Sequence, residues 1–432
     1  MIDIKLIRED PDLVKENVRK KFQDDKLKLV DLLVKKDEMW RKVKYDADKL
    51  RGERNKVSEE INKAKKAKDE KKAKELIKKA KEIPDKIKKL EEKTAGLIEE
   101  IRGLQIEIPN IMSKNVPIGE DEKGNKVARK VGKIGKFGFP VKSHVELIDD
   151  LGLGDFESSS RVSGTGFYYL EGELALLNQA LLNYARDIMV KKGFKYVETP
   201  LLLREEIIDK VTDLNDKEQQ IYVVDDDPKM ALIGTSEHSL IGRFVDSEIE
   251  GSKLPIKHTS YSMCFRKEIG AHGIDERGLF RTHQFNKIEM IVICDPSESE
   301  GFFKEMQDIS VEIFEGLEVP IRVLKICSGD LGDLKYEQID VEAYSPRRKD
   351  YFEVGSCSNL TGSQARKLGI TSRVKGDRIT PHTLNNTALA SSRALVAILE
   401  NHQQKDGSVK IPKVLWKYTG FRVIKGDGGK KK

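Results

Sequence analysis

Between residues 27 and 105, two runs of apolar side chains recur at alternating steps of three and four, and no other feature restricts the fold as much. The first run reads Trp40, Val43, Ala47, Leu50, Val57, Ile61 and Ala64, with Arg54 as its polar exception. The second reads Ala73, Leu76, Ala80, Ile83, Ile87, Leu90, Thr94, Leu97, Ile101 and Leu104. Such steps keep side chains on one stripe of an α-helix, the heptad seam through which two helices pack. Only Ala67, Lys68 and Asp69 separate the runs, so the chain must reverse and the helices run antiparallel. Each arm of about 40 residues is about 60 Å long at 1.5 Å per residue and cannot fold back into a globule. Pro84 lacks an amide hydrogen and is expected to kink the second helix. Taken alone, this Lys-rich hairpin fits a dimerising or scaffolding coiled coil as well as an arm that binds another molecule.

Beyond the hairpin the sequence changes character. Pro109, Pro117, Pro140 and several glycines mark residues 107–140 as a linker between an N-terminal domain, residues 1–106, and a second domain, residues 141–424. A length of 432 residues suits that division, since domains run to roughly 100–200 residues. In the second domain, β-rich runs such as GFYYL, KYVETP, QIYVV, IEMIVIC, IRVLKIC and YFEV mix with amphipathic helices, which points to an α+β fold with a largely antiparallel sheet. One such helix, residues 172–192, carries Leu174, Leu177, Leu181, Tyr184 and Ile188 on one stripe and is capped by Gly193. The strand FKYVETP ends at Pro200, as a strand terminus or a sheet edge would.

Lys and Arg number 79 against 73 Asp and Glu, and the resulting net charge of +6 is compatible with a polyanionic partner without requiring one. Cys264, Cys294, Cys327 and Cys357 are far apart with no CxxC spacing, so neither a zinc site nor a disulfide framework is expected. The N-terminus has no apolar leader segment, and no run approaches the roughly 18 apolar residues of a membrane helix. A soluble cytoplasmic protein is the expectation, with residues 425–432 as a disordered Lys-rich tail.

The segment of residues 262–293 concentrates the chemistry. Read as strand, loop and strand, it puts Arg266 and Glu268 on one face, and Arg281, Phe285 and Glu289 on one face of the return strand with Ile288, Met290 and Val292 opposite. Two arginines, two carboxylates and an aromatic ring either cancel as surface ion pairs or enclose a ligand with both charge signs and a flat ring. The connecting loop, with Gly270, Gly273, Gly278, His272 and Arg277, reads as a mobile hairpin connection or as a contact for an RNA end. In TLNNTALASSRALVAILE, Leu389, Arg393 and Val396 stand at i, i+4 and i+7 of a helix. Arg393 is then expected to face the interior and to need an anion, either a protein carboxylate or a phosphate.

These segments together resemble the seryl-tRNA synthetase family, in its ordinary rather than zinc-containing branch, over nearly the whole chain. GFKYVETP resembles the first class II motif, FRKE with GLFRTHQFNKIE the second, and LNNTALASSRALVAILEN the third. GTSEH, GDLG and EVGSCSN are closer to the serine enzymes than to their threonyl or prolyl relatives. The resemblance implies an α+β class II synthetase with an antiparallel sheet flanked by helices and an N-terminal coiled-coil hairpin. It implies that L-serine is activated with ATP to seryl-adenylate plus pyrophosphate and transferred to the 3′ end of tRNA(Ser), tRNA(Sec) being a further substrate in the family. It also implies a homodimer, in which the hairpin reaches across to the long variable arm of the tRNA.

Residue by residue, the resemblance assigns Thr235, Ser236, Glu237, Asn385 and Thr387 to the serine pocket, with Glu289 reading the hydroxyl. Many relatives have Ala at the position of Ser236 and Ser at that of Thr387. Arg266 would bridge the serine carboxylate and the α-phosphate, Glu268 would accept from the adenine amino group, and Phe285 would stack on its ring. Arg281 and Arg393 would hold the triphosphate, and Lys267, Thr282, Val354 and Gly355 would border ATP. Arg266, Glu268 and Arg393 form the implied catalytic set. Glu353 and Ser356 are implied ligands of an ATP-bound Mg²⁺, a hard cation suited to oxygen donors. No zinc is implied.

Overall fold

The computed structural model describes residues 1–212, 219–269 and 278–426. Gly270, His272, Gly273 and Arg277 of the glycine-rich loop, and residues 427–432 of the expected tail, lie outside the described residues. The chain forms two compact units, Met1–Ile111 and Met112–Lys432.

The first unit consists of α1 (Ile4–Glu9), α2 (Pro11–Lys20), α3 (Leu27–Lys66) and α4 (Glu70–Glu107). α3 and α4 are the antiparallel pair that the heptads predict. The reversal falls at Lys68, whose φ is 59°, and Asp69 then caps α4 by accepting from the Lys72 amide at 3.0 Å. α4 continues through Pro84 to Glu107. Along the arm the buried material is a narrow seam: Val57, Ile83 and Ile87 pack with Leu50, Ile61, Leu76 and Ala80. At the base, Val30, Leu33, Ile101 and Leu104 join Ile2, Ile7, Val14 and Val18 in a broader core. Asp37, almost wholly buried, receives Arg8 through two hydrogen bonds and Arg41 through a third, so this charge is matched where it leaves water.

The second unit is built on an eight-stranded sheet with strands β1 (Lys126–Val131), β2 (Lys195–Tyr196), β3 (Ile256–Phe265), β4 (Gln284–Cys294), β5 (Ile321–Lys325), β6 (Glu337–Ser345), β7 (Asp350–Thr361) and β8 (His382–Ala390). Their spatial order is β1-β5-β6-β7-β8-β4-β3-β2. Every neighbouring pair is antiparallel except β2 with β3. Helices α5 (His144–Leu151), α6 (Gly172–Lys191), α7 (Ser236–Gly242), α8 (Ser299–Gly316) and α9 (Ser391–His402) surround it. α6 buries Leu174, Leu177 and Leu181 as its stripe predicts, and Gly193 takes the positive φ of 82° that follows a helix end. β4 shows the alternation best. Ile288, Met290 and Val292 enter a core with α6, α8 and α9, while Ile291 and Ile293 enter a second core on the opposite face with Ile208 and Ile241.

Three expectations need correction. The stretch read as linker contains β1, an edge strand paired with β5. Its sequence KVARKV is almost wholly exposed and so lacks the apolar alternation that announces a half-buried strand. Leu389 belongs to β8 and not to a helix, since α9 begins only at Ser391, so the i, i+4 argument does not apply to Arg393. β3 ends at Phe265. Arg266 and Glu268 therefore lie beyond it, with Glu268 at a φ of 49°, and Arg281 lies before β4, which begins at Gln284, so strand parity governs none of the three. Among the described residues, no helix is long and apolar enough to cross a membrane.

Candidate active site

The open end of the sheet's second face carries two adjoining cavities, of about 90 Å³ and about 370 Å³. β4 supplies their shared floor, because Phe285, Lys287 and Glu289 alternate onto this face before Ile291 and Ile293 close it with apolar packing. The smaller cavity is lined by Glu268, Phe280, Arg281, Thr282, Phe285, Val354, Gly355 and Arg393. The larger is lined by Thr235, Glu237, Glu289, Ser356, Asn385 and other residues. Arg266, Lys287, Glu353 and Thr387 border both.

Glu289 is the centre of the larger cavity. Cross-strand register sets it opposite Thr387 of β8 and Ser260 of β3. Its Oε2 accepts from Thr235 Oγ1 at 3.2 Å and from Thr387 Oγ1 at 3.5 Å, and Lys287 Nζ lies 2.5 Å away. Both partners of that ion pair are buried, and a buried carboxylate keeps its charge only with such matching. Thr235 reaches it from the N-cap of α7. Glu237, in the first turn of α7, accepts at Oε1 from Gln364 Nε2 and Asn385 Nδ2, both at 2.9 Å. Burial, followed by the neighbouring charge of Glu289, pushes the Glu237 carboxyl up to about 7. His238 is driven down to about 3 by burial and by the charges of Lys287 and Arg266, so its ring is neutral here.

In the smaller cavity Arg266 lies over the Phe285 ring at 5.4 Å and donates from Nε to the Gly234 carbonyl at 3.2 Å. Arg281 stands 3.7 Å from Glu268. Arg393, only 26% exposed, does meet a carboxylate. Its Nη1 donates to Glu353 Oε2 at 3.1 Å and to the Glu353 carbonyl at 2.9 Å. Partial burial works to raise the Glu353 pKa, but the charge and hydrogen bond of Arg393 outweigh it and hold this carboxyl below its ordinary value.

A β-bulge explains why Glu353 and Ser356, three residues apart, face the same cavity. Val341 pairs with Gly355 and Glu342 with Glu353, so Val354 is the extra residue that shifts the parity of β7. Gly355 fits there because a Cβ would lie 3.2 Å from the Thr387 carbonyl oxygen. Asp340 stands opposite Ser356 on β6, and burial together with the Glu353 charge lifts its carboxyl to about 7. Glu353, Ser356 and Asp340 thus present oxygen atoms to the larger cavity, the donor type that Mg²⁺ takes alongside waters and substrate phosphates. Among the described residues no group of three His, Cys, Asp or Glu is arranged to hold a metal.

Two expected residues are not brought in. Ser236 is fully buried beneath the cavity, with its hydroxyl toward the Ser260 carbonyl at 3.5 Å, and Lys267 lines neither cavity while its amide donates to the Gln220 carbonyl. The reading also missed Lys287, Phe280, Asp340 and Gln364. Lys287 carried a usable signal, since it shares the parity of Phe285 and Glu289.

Residues 222–402 match the tRNA synthetase class II core domain (G, H, P, S and T), which assigns this sheet and its cavities to the class II aminoacyl-tRNA synthetases. Residues 1–112 match the seryl-tRNA synthetase N-terminal domain. A serine–tRNA ligase of Pyrococcus abyssi is 42% identical over 446 residues, spanning 98% of this chain and 97% of its own. Seryl-tRNA synthetase of Pyrococcus horikoshii, solved in complex with ATP, superposes with a TM-score of 0.93 at 40% identity over 98% of this chain and 99% of its own. The cytoplasmic enzyme of Naegleria fowleri, solved with AMP, gives 0.89 at 32% identity, covering 99% of each chain. The chain belongs to the seryl-tRNA synthetase family, and its activity is the ligation of serine to tRNA.

Proposed function

We propose that the two joined cavities hold ATP and L-serine side by side, with Arg266 at their junction. The observation that carries this reading is that Arg266, Lys287, Glu353 and Thr387 border both spaces. In the smaller cavity, adenine lies against Phe285 with its amino group donating to Glu268. Thr282, Val354 and Gly355 border the nucleotide. Arg281 and Arg393 take the triphosphate. In the larger one, the serine ammonium faces Glu237 and the hydroxyl meets Glu289 and Thr387, while Thr235 and Asn385 hold the two carboxylates. Ser236 and Lys267 have no place in this site.

A serine carboxylate oxygen attacks the α-phosphorus in line, a new P–O bond forms, and the bond to pyrophosphate breaks. Arg266 and Arg393 stay fixed while negative charge moves onto the leaving oxygens, so the gain comes from positioning and preorganised charge. Mg²⁺, when bound through Glu353 and Ser356, supplies further positive charge to the phosphate oxygens. A terminal hydroxyl of tRNA(Ser) then attacks the acyl carbon and AMP leaves. Alanine leaves the buried Glu289 and Thr387 without their hydroxyl partner, a penalty of about 10⁴-fold. The extra methyl of threonine is opposed only by volume, worth roughly 1–3 kcal/mol.

The hairpin of the N-terminal domain serves as the arm for tRNA, which its exposed Lys side chains support. The chain acts as a cytoplasmic homodimer. The two-residue edge strand β2, with the exposed Val190, Leu201 and Leu202 nearby in sequence, supports an interface between copies, and four free cysteines suit a reducing compartment. Pyrophosphate exchange measured with each amino acid in turn, followed by aminoacylation of total tRNA, tests the reading. Serine alone should sustain both. Equal exchange with alanine would contradict it.

A further inference from the structure

We propose that His144, which borders neither cavity, is a positioning residue for ATP that fixes the return arm of the glycine-rich loop. The imidazole is 4% exposed at the start of α5, which a Ser143–Glu146 capping box holds in place. Nε2 accepts from the Leu279 amide at 3.2 Å. The ring must therefore carry its proton on Nδ1, which faces Glu400 Oε1 at 3.5 Å. Glu400, on α9, is 2% exposed; its other oxygen accepts from Ser345 Oγ, and Arg347 Nε stands 3.9 Å from Oε1. A buried carboxylate thus stands beside one nitrogen of an imidazole whose other nitrogen holds a backbone amide.

That amide is well placed to matter. Leu279 is fully buried and precedes Phe280, Arg281 and Thr282, all of which line the smaller cavity. Phe280 in turn lies under the guanidinium of Arg393 at 5.4 Å. The approach is close enough that a Cβ on Gly278 would sit 2.6 Å from His144 Nε2. The segment bearing His144 is tied to α9 a second time, since Lys142 and Gln403 exchange two hydrogen bonds of 2.9 Å. α9, which also carries Arg393, therefore sets both the arginine on the loop and the arginine on the helix. Without the imidazole the buried Leu279 amide loses its acceptor, and the loop arm loses this anchor to α5.

This inference rests on assigning the smaller cavity to ATP. The test is steady-state pyrophosphate exchange with the full chain, measured for His144→Leu, His144→Gln and Arg281→Ala. His144→Leu should raise KM for ATP about tenfold and leave KM for serine within about twofold. His144→Gln, whose Oε1 can take the place of Nε2 as acceptor, should restore most of the ATP affinity. If the Leu variant does not fold, His144→Asn replaces it, because its shorter amide cannot reach Leu279; Asn and Gln variants with equal KM for ATP overturn the proposal. An unchanged KM for ATP in a folded His144→Leu, beside a raised one in Arg281→Ala, refutes the role of His144 alone. No effect from Arg281→Ala removes the assignment of the cavity to ATP, and the role of His144 with it.

Discussion

The arm and the sheet treat charge in opposite ways. In the arm, the seam of Val57, Ile83 and Ile87 is narrow and most of the remaining surface faces water, so its many Lys and Glu side chains stay solvated and cost little to hold. In the sheet, Glu289 and Lys287 are buried beside apolar layers, with Glu237 of α7 next to them, and there an unmatched charge costs several kcal/mol. The lesson is that charge in the arm defines a broad electrostatic surface, whereas each buried charge in the sheet marks a specific contact.

The strongest way to break this contrast is Glu289→Ala, which should lower serine-dependent pyrophosphate exchange by about 10³-fold or more while circular dichroism still reports a folded chain. Near-normal exchange would remove Glu289 from the pocket. Trimming the arm is the next test. Deleting residues 27–105 would take Val30, Leu33, Ile101 and Leu104 out of the N-terminal core, so a smaller cut is better. Arg51 and Glu91 face each other across the helices at 2.7 Å, and replacing residues 52–90 with a short glycine turn leaves the base intact. Aminoacylation should fall about a hundredfold with exchange unchanged; equal loss of both activities would mean that the arm has no separate role.

Much of this was legible in the sequence because it repeats locally. The heptads located α3, the turn at Lys68 and α4, and the stripe of α6 gave its buried face, since helical spacing needs no knowledge of distant partners. The alternation of Phe285 and Glu289 against Ile288 and Met290 was legible for the same reason. The bulge at Val354 was not, because it depends on register with β6. Nor was β1, whose charged exposed sequence hides its pairing, or β8, whose LNNTALA run has the composition of a helix start. Gln364 and Asp340 reach the cavity through tertiary packing alone. Ser236 shows the converse, since a residue beside Thr235 in a matching motif is turned into the protein beneath the cavity.

Two smaller effects sharpen the contrast. Asp37→Ala removes the one buried carboxylate at the arm's base, and because Arg8 and Arg41 remain partly solvated the loss should be about 1–3 kcal/mol. Faster hydrogen exchange confined to residues 1–110 of the full chain would show it; unaltered exchange there would contradict it. The Glu237 carboxyl, raised to about 7, predicts a pH dependence of serine binding. The serine ammonium favours the ionised form, so KM for serine should be about tenfold lower at pH 8 than at pH 6, and Glu237→Gln should flatten the profile. In the unliganded chain the sign is reversed. The native state holds a proton that the unfolded chain has released, so stability should fall as pH rises from 4.5 to about 7.

The convergence of Arg266, Glu289 and Arg393 on one ligand is tested most directly by a crystal structure with a non-hydrolysable seryl-adenylate analogue. The adenine should lie on Phe285, the phosphate mimic beside Arg266, and the seryl hydroxyl against Glu289 and Thr387. A seryl group bound away from Glu289, with Arg266 making no contact to the linkage, would contradict the account.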